Sequence, residues 1–107
     1  MRFLPAAILV CLLAACQQPS EASVKDTADR CVTQRNLSAC DDLVNMRGLS
    51  DPDRAQAYAA RARTLANLGK TEAAIHDLDA ATKLDPGNKQ LILFKILLAG
   101  SMQQPAP

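Results

Sequence analysis

The sequence predicts an all-α protein: two helix-turn-helix hairpins and a C-terminal capping helix, following a cleaved signal peptide. Three observations lead there. Between Ala55 and Asn88, small and apolar residues recur at helical spacing (Tyr58, Ala62, Leu65, then Ala74, Leu78, Ala81, Leu84). A tight turn, Asn67-Leu68-Gly69-Lys70, interrupts them, and Asp85-Pro86-Gly87 closes the stretch. The preceding segment overlays this one when Asp51-Pro52 is laid on Asp85-Pro86: Ala28 then falls on Ala62, Ala39 on Ala73 and Val44 on Leu78. The first 15 residues have the build of a leader, not of a folded segment. A chain of 107 residues holds one small domain. It is assigned to residues 24–100, with a tether at 16–23 and a polar, Pro-containing, disordered tail at 101–107.

In the leader, residues 1–15, Arg2 supplies a basic start and Phe3 to Leu13 an apolar core. Ala14-Ala15 are the small residues before a cleavage point. The core is too short for a mature span, which needs ~20 apolar residues. Leu13-Ala14-Ala15-Cys16 resembles a bacterial lipobox, whose cysteine carries diacylglycerol when signal peptidase II cuts before it. The alternative is an ordinary secretory signal with an incidental cysteine. The resemblance implies lipidation at Cys16 with three acyl chains, and at ~0.8 kcal/mol per buried CH2 three chains anchor stably. Gln17 in place of Asp after the cysteine implies sorting to the outer membrane. The tether (QQPSEAS) reaches at most ~25 Å, so the domain stays near its membrane.

The first helix is expected over Val24 to Thr33, with Val24, Ala28 and Cys31 on one face. After the turn Gln34-Arg35-Asn36-Leu37, Ser38 is a plausible N-cap with Asp41 completing a capping box, and the second helix ends at Gly48. The third begins near Pro52, capped by Ser50 or Asp51, and runs to Leu68 with Gly69 as its stop. Thr71 caps the fourth, which Pro86 cannot extend. Asn88 caps the fifth, Lys89 to Ala99.

The pattern Tyr58-x2-Arg61-Ala62-x2-Leu65, Ala74-x3-Leu78, Pro86 resembles the tetratricopeptide repeat (TPR), a helix-turn-helix unit of 34 residues. Two departures are Arg61, where an apolar residue is usual, and Ala62 in place of glycine. The first hairpin is a degenerate copy, similar mainly in register. In that register Cys31 falls on Leu65 and Cys40 on Ala74, positions that face each other in the family, which implies a Cys31–Cys40 disulfide. An oxidising compartment favours the bridge over two buried free thiols. The resemblance also implies a concave surface for another protein, lined by Gln56, Ala59, Arg63, Ala66 and Asn67, with Lys25, Asp29, Val32 and Thr33 before them. Gln90, Leu93 and Leu97 continue it on the last helix. Such a lining, polar with a basic centre at one end and apolar at the other, suits an amphipathic helix or peptide.

The last helix is apolar all round. Leu91, Phe94 and Leu98 can pack on the preceding hairpin, whereas Ile92 and Ile96 would ordinarily meet a sixth helix. Either the small domain buries this helix itself, or it serves a partner or self-association.

No chemistry is expected. His76 and Asp77 are neighbours on a helix and point in different directions. Asp41-Asp42 and Asp51-x-Asp53 read as first-turn acids offsetting a helix dipole. There is no phosphate-binding Gly loop, and one His without a C-x-x-C pair argues against a metal or other cofactor. With Arg2 removed, the 12 basic residues fall to 11, equal to the 11 acidic ones. A neutral domain with few aromatics lacks the face of a nucleic-acid binder. The leading reading is therefore a non-catalytic, membrane-anchored TPR-like lipoprotein that binds a partner protein at the periplasmic face of the outer membrane. A pilotin-like lipoprotein that assists a secretin and a homo-oligomeric envelope protein are the alternatives.

Overall fold

The computed structural model describes residues 19–103. The leader, Cys16 with its expected lipid, and the end of the tail lie outside them. Five helices lie among the described residues: α1 Glu21–Val32, α2 Leu37–Val44, α3 Asp51–Asn67, α4 Thr71–Leu84 and α5 Lys89–Met102. Among the described residues there is no strand, so the fold is all-α.

The caps explain where each helix starts, and several differ from expectation. Helix α1 begins at Glu21, not Val24, because the Ser20 hydroxyl already accepts from the Ser23 amide at 3.1 Å. Asn36, not Ser38, caps α2, accepting from the Ala39 amide at 3.2 Å. Asp41 then falls past the first turn and is free for another task, while Met46 and Arg47 lie beyond the helix. Ser50 caps α3 as expected. At its end the Gly69 amide reaches the Ala66 carbonyl at 3.0 Å and the Lys70 amide reaches Leu65 at 2.8 Å. This is a Schellman closure, with Gly69 in the left-handed region at φ 81°. The closure puts Lys70 at the N-cap position of α4, so Thr71 is its first helical residue and not its cap. Asn88 caps α5, accepting from the Gln90 and Leu91 amides. That helix continues through Ser101 and Met102, beyond the expected end at Ala99.

Each helix packs on the next, and α1 also touches α3. Helix α3 is the centre. Ala55, Ala59, Ala62 and Leu65 form one face, packed with Ala74, Leu78 and Ala81 of α4 and Leu91 of α5. Ala57 and Ala60 lie on the opposite face against Leu43 and Val44 of α2 and Ala28 of α1. Alanines on both sides let two layers approach one helix closely. Leu78 is fully buried at the middle of the larger core.

Candidate partner-binding surfaces

The first hairpin is held by a disulfide between Cys31 and Cys40, both fully buried, with Cα atoms 4.6 Å apart. Thr64 of α3, also fully buried, donates its hydroxyl to the Cys31 carbonyl at 2.9 Å. That carbonyl belongs to the last turn of α1 and has no partner within the helix. Arg54 does the same for α2, donating to the Val44 carbonyl at 2.6 Å and the Met46 carbonyl at 2.9 Å. Both contacts tie the α1–α2 pair to α3. Neither carries a sequence signal, because each joins residues from different elements.

Arg61 is the other residue whose role was missed. Its guanidinium donates twice to Asp77, at 2.8 Å to each carboxylate oxygen, and once to Asp41 at 3.0 Å. It also lies 5.5 Å from the centre of the Tyr58 ring. The hydrogen bonds to Asp77 raise the Arg61 pKa still further above its ordinary value; burial opposes this, and the charges of Asp77 and Asp41 add to it. Asp41 thus ion-pairs with α3 instead of completing a capping box. Both Asp77 oxygens are occupied by Arg61, so Asp77 orients Arg61 and not His76. His76, Glu72 and Leu37 share a shallow hollow of about 520 Å³ beside this cluster. Among the described residues, no group of His, Cys, Asp or Glu is large enough to hold a metal ion.

The expected groove residues separate in space. Gln56, Arg63 and Asn67 are exposed and Ala66 is half-buried, but Ala59 is only 7% exposed, in the core between α3 and α4. Ala59 is therefore corrected from a contact residue to a core residue. The row along α3 runs Gln56, Ala60, Arg63, Asn67, one residue later at that turn, with Ala60 half-buried against α1 and α2 and the other three exposed. Gln56 and Ala60 join Lys25 of α1 around an open cleft of about 510 Å³, floored by Val24, Ala28 and Leu49. Arg63 and Asn67 lie further along α3 and do not line it. Asp29 and Thr33 are exposed, whereas Val32 packs beside the disulfide.

On α5 only Leu91 is buried, with Phe94 and Leu98 half-buried against the larger core. Leu93 and Leu97 are 56% and 64% exposed. No helix among the described residues is long and apolar enough to cross a membrane. Compared with protein-family models, curated proteins and solved structures, the chain has no match.

Proposed function

We propose that this chain is a non-catalytic, TPR-like lipoprotein, anchored through Cys16, that holds another protein at the periplasmic face of the outer membrane. The cleft between α1 and α3 carries the reading. It has an apolar floor and a polar rim with Lys25 and Gln56, which suits the apolar side chains of an amphipathic helix or peptide. The helical stack and the joined Cys31–Cys40 pair are consistent with the family resemblance. With α1 starting at Glu21, four residues separate it from Cys16, a reach of about 14 Å. A lipid there would hold the cleft close to the membrane surface.

The test is site-specific photo-crosslinking in the cell envelope, with a photoreactive residue at Gln56 and, as control, at Lys83 on α4. A heavier adduct from Gln56 alone is expected, and palmitate labelling should vanish in Cys16→Ala. Equal adducts at both positions, or none at Gln56, refute the cleft as the partner site. Label retained in Cys16→Ala refutes the anchor. A secretin in the Gln56 adduct would select the pilotin-like reading.

A further inference from the structure

The cleft lies across a seam between two unequal parts of the molecule. Helices α3, α4 and α5 share a core of eight buried residues, from Ala55 to Leu91, all supplied by those three helices. Helices α1 and α2 form a thinner layer on the other face of α3. Of the 12 residues of α1 only Thr27 and Cys31 are buried, so its one buried apolar side chain is half of the disulfide. Val24 and Ala28 are half-buried and face the cleft. Helix α2 has 8 residues and buries Ala39, Cys40, Leu43 and Val44. Isolated helices shorter than ~12–15 residues are marginal in water, so both depend on what ties them to α3. Apart from the bridge, the ties are the Thr64 and Arg54 hydrogen bonds, the exposed Asp41–Arg61 pair, and the contact of Leu43 and Val44 with Ala57.

We infer that oxidation of Cys31 and Cys40 assembles the cleft: the reduced chain keeps α3–α5 folded with α1 and α2 open, and forming the bridge closes them onto α3. In this step the two thiols lose two protons and two electrons to a disulfide oxidant, such as glutathione disulfide, which departs as two thiols. The cleft then gains Val24 and Ala28 from α1, Leu43 from α2 and Leu49 from the connecting loop. Helix α3 alone supplies only Gln56, Ala57 and Ala60 to that floor and rim. Cross-linking residues 9 apart favours the closed layer by about a hundredfold on the chain-entropy model. Once the layer is closed both cysteines are fully buried, so a thiol in solution reaches the sulfurs only when it opens. The device therefore latches instead of cycling. A chain still among reducing thiols has no cleft to offer a partner. That consequence rests on the cleft reading above; the opening of the layer does not.

Hydrogen exchange tests this on the full chain carrying Cys11→Ser and Cys16→Ser, which leaves Cys31 and Cys40 as the only thiols. After refolding in a thiol reductant, the amides of Cys40, Leu43 and Val44 should exchange within about tenfold of an unfolded chain. Those of Leu78 and Ala81 should stay protected by at least about a hundredfold. Adding glutathione disulfide should then raise protection in α2 by about a hundredfold. Equal protection of α2 before and after oxidation overturns the proposal. So does joint loss in α2 and α4, which would make the domain one cooperative unit. In the envelope, Cys31→Ser with Cys40→Ser should abolish the Gln56 adduct, and an undiminished adduct overturns the gating. A missing adduct in the unsubstituted chain is a different result: it refutes the partner site, and the exchange rates still decide the fate of the layer.

Discussion

Arg61 and Asp77 carry the most concentrated electrostatics in the domain, and their worth lies in being matched. Asp77 is 7% exposed, so an unpartnered charge there would be costly. Asp77→Ala leaves Arg61 with only the exposed Asp41 and should lower stability by about 2–3 kcal/mol, read from urea unfolding with an unchanged m-value. The double exchange Arg61→Leu with Asp77→Leu should recover to within about 1 kcal/mol of the original, since two apolar groups leave nothing unpaired. If the double variant is as unstable as the single one, the pair supplies more than charge matching. In the sequence, Arg61 was visible as a departure from an apolar pattern. Its partners were not, because 16 and 20 residues of chain separate them from it.

At the scale of elements, the disulfide secures the shortest helix. Helix α2 has 8 residues, too few to persist alone in water. Closing a loop of about ten residues stabilises by roughly 2.5–3 kcal/mol on the chain-entropy model. Cys31→Ser with Cys40→Ser should therefore lower Tm by roughly 10–20 °C in a domain of this size, checked by circular dichroism. A shift of only a degree or two would mean that Arg54 and Thr64 already hold the hairpin. Helix existence was legible from spacing and from Gly69, Pro86 and Asn88. The starts of α1 and α2 were less so, since Ser20 and Ser23, or Asn36 and Ser38, are equally able caps. The turn decides between them: with Arg35 left-handed at φ 52°, the chain re-enters the helix at Leu37 with Asn36 in capping position.

For the whole molecule, the two-sided packing of α3 determines which residues a partner can reach. Ala59→Leu should overpack the seam with α4 and cost about 1–3 kcal/mol. Gln56→Leu, on the open cleft, should stay within about 0.5 kcal/mol while changing partner capture. Thermal unfolding of the two variants tests this directly, and equal stability would place Ala59 on the surface after all. The same packing leaves α5 with one covered face, so its outward leucines and isoleucines are available to another chain.

By itself the sequence determined the helical class, the approximate spans of the helices among the described residues and the turn at Gly69, while the Cys31–Cys40 bridge was implied by the register of the family it resembles. The helices and the turn follow from local spacing and caps, which act over a few residues. Only the tertiary structure decided that Ala59 is core and Ala60 lines the cleft, that Arg61 is matched by Asp77 and Asp41, and that α5 stays half uncovered. Those outcomes depend on how α3 is rotated between its neighbours, and a helix that is alanine-rich on opposite faces does not specify that rotation locally.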